Sequence, residues 1–166
     1  MLLNPDNNFL ENHEKDDIKM FRKRMVGFIL ATDMAKHMED LTAFKNRCEL
    51  KNISKDQDNG ELFIDKSDDT KLYDSQQQFL ELVAHASDVS QATRPFEVVK
   101  TWTYLLFEEF FLQGDAERDE GVPISFLCDR NTVNIPTNQP GFANFIVIPL
   151  YTALTEAIPN VSRCVD

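Results

Sequence analysis

Apolar positions recur along the chain with the period of an α-helix, and polar, turn-forming clusters separate the recurrences. In the first stretch, about Asp16 to Leu50, Phe21, Met25, Phe28 and Thr32 fall at i, i+4, i+7 and i+11, with Lys19, Arg22, Lys23 and Arg24 on the other side. No proline or turn dipeptide interrupts it, and Gly27 either lowers helix propensity or admits a close neighbour. The stretch exceeds a usual globular helix, which predicts a bend or break near Lys36–Leu41. Asn52 to Lys71 is polar, with turn signals at Asp58-Asn59-Gly60 and Ser67-Asp68-Asp69. It reads as a surface loop with Leu62-Phe63-Ile64 as a short anchoring patch. A calcium loop around Asp56, Asp58 and Asn59 fails on spacing, because with Gly60 at position six the first ligand would be Lys55.

Helical spacing returns from Leu72 to Asp88, where Phe79, Leu82, Val83 and Ala86 share a face. Thr93-Arg94-Pro95 breaks and restarts the chain; Pro95 suits a first helical turn and Glu97 suits the helix dipole there. Val99, Trp102, Leu106 and Phe110 form the next stripe, expected to end at Gly114 before a charged turn from Asp115 to Glu120. Asn131 to Pro140 is turn-rich. Phe142, Phe145 and Ile146 belong to a last helical pattern that Pro149 is expected to kink or end. Alternating, strand-like stretches are almost absent. The expected fold class is therefore all-α, a compact multi-helix array across residues 1–166 with no repeat and no dividing linker.

Charge narrows the function. Seventeen Lys and Arg against 28 Asp and Glu leave a net −11, which argues against nucleic-acid polymers and against charge docking to an anionic membrane. Apolar residues make up 42% of the chain and include 13 Phe, enough for a sizeable core. No apolar run approaches the ~20 residues of a spanning helix. The start, Met1-Leu2-Leu3-Asn4-Pro5-Asp6, lacks the basic and apolar regions of a signal peptide. Cys48, Cys128 and Cys164 are odd in number and widely spaced, which points to a reducing, cytoplasmic setting. The sequons at Asn52 and Asn160 then read as chance matches.

Few residues offer chemistry by spacing alone. His85 and Asp88 lie three apart on a helix and share a face, as either two metal ligands or a C-terminal His beside a capping Asp. Asp33, Lys36 and His37 are expected on a solvated helix face. Glu108 and Glu109 are adjacent, point apart and make no carboxylate dyad. Gln139 and Phe142 share a face and offer an amide and a ring, which can hydrogen-bond and stack on a planar base. The same spacing also suits a helix N-terminal Gln and a core Phe. No G-x-S-x-G, P-loop, G-x-G-x-x-G or H-E-x-x-H occurs.

Longer segments carry a resemblance. Ile29-Leu30-Ala31-Thr32-Asp33-Met34-Ala35-Lys36-His37, His85-Ala86-Ser87-Asp88-Val89-Ser90, Trp102-Thr103 with Glu108-Glu109-Phe110-Phe111-Leu112-Gln113-Gly114-Asp115, and Gln139, Gly141, Phe142 with Phe145-Ile146-Val147 occur in that order. Together they resemble class I 3',5'-cyclic-nucleotide phosphodiesterases, over about Lys19 to Pro159. The resemblance implies the latter half of an HD-type, all-helical catalytic domain that hydrolyses cAMP, cGMP or both to 5'-nucleoside monophosphates. It implies two divalent metal ions (zinc and magnesium, or manganese) that activate a bridging water, with a histidine protonating the departing 3' oxygen. By motif, Asp88 resembles a zinc ligand. Gln139 resembles the amide that pairs with the purine edge, and Phe142 and Leu106 the clamp on the base. Trp102, Thr103, Phe107 and Phe110 would line or support that pocket, and Gln91 stands where cAMP-selective members usually carry Asn. Thr32, Asp33 and Met34 would lie near the metal-side wall, with His85 supporting the metal ligand from behind.

The chain also departs from that pattern. H-N-x-x-H and H-D metal-binding motifs are absent, and His13 in Asn12-His13-Glu14 matches neither. The remaining zinc ligands and the general-acid histidine would precede Met1. The expectation is a fragment, a truncated gene model or a degenerate copy, inactive by itself, whose partner is the missing upstream half of the catalytic domain. Part of its Phe surface would be covered by that half. The alternative is a catalytically inactive helical module that keeps a purine pocket or an interaction surface. Ala92 replaces a common Pro, and Pro140 follows Gln139 where an aliphatic residue is usual, so nucleotide preference is open.

Overall fold

The computed structural model describes residues 8–51 and 63–165. Most of the polar 52–71 segment, with Asp56, Asp58 and Asn59, lies outside the described residues. Among the described residues six α-helices follow in order: α1 (Lys15–Ala31), α2 (His37–Leu50), α3 (Asp69–Asp88), α4 (Phe96–Asp119), α5 (Ile135–Phe142) and α6 (Ile148–Ala157). Short 3-10 turns at Met34–Lys36 and Ser90–Thr93 lead into α2 and towards α4. There is no strand among the described residues, so the all-α expectation holds. None of the described helices is long and apolar enough to cross a membrane.

The core lies where α2, α3 and α6 meet. Phe44 of α2 and Phe63 are fully buried and stacked at 4.6 Å between ring centroids, and Phe79 of α3 stands 5.5 Å from Phe63. Phe63 is thus the anchor expected of its apolar patch. Leu82, Leu150 and Leu154 complete the packing. Each such buried side chain contributes roughly 1.5–3 kcal/mol of transfer free energy. Tyr151 donates its hydroxyl to the Ala86 carbonyl at 2.7 Å, tying α6 to the last turn of α3. Cys48 sits in this core, and burial pushes its thiol up to about 12, so it is an inert apolar residue. α1 lies against α3 by a more polar contact. Lys23 and Arg24 stand over the Tyr73 ring at 4.4 and 4.5 Å, and Arg24 donates to Gln76 at 3.0 Å.

Several boundaries differ from expectation, each for a local reason. The first long stretch breaks at Thr32–Asp33, not near Lys36–Leu41. The Asp33 carboxylate accepts from the Ala35 backbone N–H at 2.9 Å and caps a new turn there. Gly114 does not end its helix, and α4 continues to Asp119. Pro149 does not end the last helix either. Helical backbone runs on through Val147 and Ile148, and the π-helical segment at Ala143–Val147 just ahead of Pro149 is the local irregularity that accommodates its missing N–H.

His37 corrects a further expectation. It is 2% exposed rather than solvated, and its Nδ1 lies 2.9 Å from Nε2 of His85, also 2% exposed. One ring donates and the other accepts. Neither outer nitrogen, His37 Nε2 nor His85 Nδ1, has a hydrogen-bond partner among the described residues. Burial, then the neighbouring His85, holds His37 below the ordinary histidine range, against a smaller opposing effect of Asp40. Folding therefore favours neutral His37, and below about pH 6.5 the unfolded chain binds more protons than the folded one. Stability is expected to be complete above that pH and to fall as acidification proceeds towards the lower folded value. Thermal unfolding at about pH 7.5 and about pH 5.5 checks this. His37→Gln, which keeps a hydrogen-bonding group without the titration, is expected to flatten the difference. An undiminished difference in that variant would contradict the assignment.

Candidate functional site

A cavity of about 920 Å³ opens between α4, α5 and the turn after α3. That is the upper end of the ~300–1,000 Å³ usual for small-molecule sites. α4 supplies Trp102, Thr103, Leu106, Phe107 and Phe110; α5 supplies Gln139 and Phe142. The amphipathic stripe of α4 therefore faces a cavity rather than a packed neighbour: Leu106 is 40% and Trp102 is 56% exposed, while Phe107 is buried as the floor. α5 is placed by its own cap, as the Asn134 side chain accepts from the Thr137 N–H at 3.1 Å and Pro136 sits in the first turn. The Thr103 hydroxyl reaches Gln139 Oε1 at 3.4 Å and links the two walls.

The cavity brings together Asp88, Gln91, Met34, Trp102, Thr103, Leu106, Phe107, Phe110, Gln139 and Phe142. Three residues of the sequence-based set are elsewhere. Asp33 caps the 3-10 turn, the Thr32 hydroxyl donates to the Ile29 carbonyl at 2.8 Å, and His85 pairs with His37 in the interior. Among the described residues, the charged ones that line the cavity are Asp88, exposed at the end of α3, and Arg94, and no histidine is among them. Arg94, Phe126 and Leu127 were not legible as site residues. Arg94 appears in sequence only as part of a helix break, and the other two sit in a non-periodic loop.

That loop is fastened to α4. The Glu117 carboxylate accepts from both the N–H and the hydroxyl of Ser125 at 2.6 Å, which holds its carboxyl below the ordinary value. Arg118 donates to Asp129 at 2.8 Å. Cys128 is buried against α4 at Gly114, where an added Cβ would overlap the Cys128 carbonyl. The overlapped group is backbone and cannot swing away. Gly114→Ala is expected to cost about 1–3 kcal/mol. A melt within a degree of the parent's would contradict this close approach.

All of residues 1–166 match the family described as 3'5'-cyclic nucleotide phosphodiesterase. The chain belongs to the cyclic-nucleotide phosphodiesterase family. It is 36% identical over 156 residues to 3',5'-cyclic-AMP phosphodiesterase, isoform F, of Drosophila melanogaster, covering 93% of this chain and 22% of that protein. It is 35% identical over 159 residues to the probable 3',5'-cyclic-AMP phosphodiesterase pde-4 of Caenorhabditis elegans, covering 95% of this chain and 22% of that one. A solved structure of LmjPDEB1 in complex with IBMX is 28% identical with a TM-score of 0.79, covering 99% of this chain and 45% of that one. The chain thus spans about a fifth of the length of these two curated relatives and under half of that solved chain.

Phosphodiesterases of this family imply divalent metals. Among the described residues no three His, Cys, Asp or Glu side chains converge to hold one. Asp88 is the sole carboxylate on the cavity wall among the described residues. Its exposure and acceptor oxygens suit a metal ligand, but by themselves the described residues do not make a metal centre.

Proposed function

We propose that this chain forms the base-binding part of a catalytic domain that hydrolyses 3',5'-cyclic nucleotides to 5'-nucleoside monophosphates. The observation that carries the reading is the convergence of Gln139, Phe142, Leu106 and Thr103 on one cavity. An amide offers a donor and an acceptor to the edge of a purine, and an aromatic ring with an aliphatic partner grips its faces. Cyclic AMP is the substrate for which the fly and worm relatives are named, and it is the substrate we assign first. Arg94 gives the cavity a positive charge that suits the cyclic phosphate, in a chain whose net charge is −11. Asp88 takes the role of one metal ligand; the other ligands and the leaving-group acid lie outside the described residues. The free cysteines Cys48, Cys128 and Cys164 fit a reducing, cytoplasmic setting.

Among the described residues there is no three-ligand cluster and no histidine on the cavity, which favours a second statement about the isolated chain: it binds nucleotide without turning it over. A graft tests the first statement. Residues 1–166 are placed in the fly enzyme instead of its matched segment. The chimera is expected to hydrolyse cyclic AMP, and Asp88→Ala in it to lose both activity and bound metal. A folded chimera without activity, or an Asp88→Ala chimera unchanged in activity and metal content, would overturn the reading.

A further inference from the structure

We propose that the buried His37–His85 pair is a proton-sensitive tie that positions the Met34 and Asp88–Gln91 walls of the nucleotide cavity, holding them when neutral and loosening them in acid. The inference rests on the nucleotide reading above. Met34, which lines the cavity, stands three residues before His37. Asp88, Ser90 and Gln91 line it too, and all follow His85 within six residues. The 2.9 Å contact of His37 Nδ1 with His85 Nε2 therefore joins the two segments across 48 positions of sequence. Among the described residues the one other side-chain hydrogen bond between α2 and α3 runs from Arg47 to Gln78, ten residues along α2 from His37. At the cavity end of the two helices the histidine pair is the tie.

Its chemistry makes that tie depend on protons. Both rings are 2% exposed, and neither outer nitrogen has a hydrogen-bond partner among the described residues. In a neutral pair one inner nitrogen donates to the other, and one outer nitrogen keeps a lone pair. That lone pair takes the first proton from solvent. The charge so created is buried without a hydrogen bond, which disfavours the closed arrangement. A second proton sets two N–H groups face to face and breaks the bond. The acidic neighbours come from both helices: Asp40 of α2 and Glu81 of α3 line a small cavity of about 30 Å³ with His85. Asp40 draws His37 upward, but burial and His85 hold it below the ordinary histidine range. Burial, then Glu39, holds Asp40 above the ordinary carboxylate range against Lys36 and the two histidines, so acid weakens that compensation as well. Parting α2 from α3 lets water reach the rings, and the loosened form binds protons more tightly than the closed one. By linkage, a nucleotide that needs the closed form binds best above about pH 6.5 and loses affinity as pH falls towards the lower His37 value.

The test is calorimetric titration of the full chain with cyclic AMP at about pH 7.5 and about pH 5.5, beside NMR of its methionine methyl groups without nucleotide. Affinity is expected to fall about 3- to 10-fold between the two, inside the limit of about tenfold per pH unit for one linked proton. His37→Gln is expected to abolish the fall, and Asp40→Asn to keep it with a lower midpoint. In the parent without nucleotide, the Met34 methyl signal is expected to titrate with the midpoint of the His37 ring, a readout that needs no variant to fold. A constant affinity, a constant Met34 signal, or a fall that survives in His37→Gln would overturn this inference alone. A parent that binds no cyclic AMP at about pH 7.5 would overturn the nucleotide reading, and the Met34 titration would still decide the tie.

Discussion

Phe142→Ala is expected to weaken cyclic-AMP binding about 10- to 100-fold, the worth of one base–aromatic stack. Phe142 stands at the end of α5, half-buried, with one part of its ring packed on the core and another on the cavity. No other side chain described on α5 offers an aromatic surface to the cavity. Some stability is lost as well, because the ring touches the core, so affinity must be measured well below the melting range. Phe142→Tyr, which keeps the ring, is expected to bind within a few-fold of the parent. Calorimetry on the two variants checks the claim, and equal losses in both would show that the face of the ring is not what the ligand uses.

Phe44→Ala carries the largest expected effect on stability. Phe44 is fully buried and stacked on Phe63, with Phe79 nearby at 6.5 Å. Removing such a ring costs about 3–5 kcal/mol, part transfer and part cavity. In a chain of this size each kcal/mol moves Tm by about 2–4 °C, so a fall on the order of 10 °C is expected. Leu50→Ala, at a position 83% exposed on the same helix, provides the contrast and should stay close to the parent. Comparable falls in the two variants would place the core elsewhere.

The helices themselves were legible because their apolar positions repeat. α3 and α4 carry the clearest stripes, and both start within a few residues of expectation, although α4 runs past Gly114 to Asp119. What the repeat does not encode is what a stripe faces. The Leu106 and Phe110 side of α4 reads in sequence like a core face, and it lines a cavity. Gly114 shows the same limit, since a glycine that stops a helix and one that admits a neighbouring backbone look alike until Cys128 is in place. His37 read as solvated because its partner, His85, is 48 positions away. Phe126 gave no signal because it sits in a loop, and loops have no period. Gln139 and Phe142 were legible as a pair because i and i+3 on a helix share a face whatever surrounds them.

The apolar surface of α1 and α4 also gains meaning from the fold. Ile29, Leu30, Leu105 and Leu112 are all more than half exposed, at 66%, 52%, 59% and 60%. Such positions are ordinary when scattered, but here they lie on the two longest helices outside the main core.

The base-binding wall proposed above resides in this chain and is expected to recognise a nucleotide without a metal. Nuclear magnetic resonance of the labelled chain, titrated with cyclic AMP in buffer containing a chelator, tests it most directly. Saturable shifts are expected of the Gln139 side-chain amide, the Trp102 indole N–H and the Thr103 backbone, all around one cavity. A well-folded spectrum in which those signals stay fixed, or in which shifts collect on a different face, would contradict it.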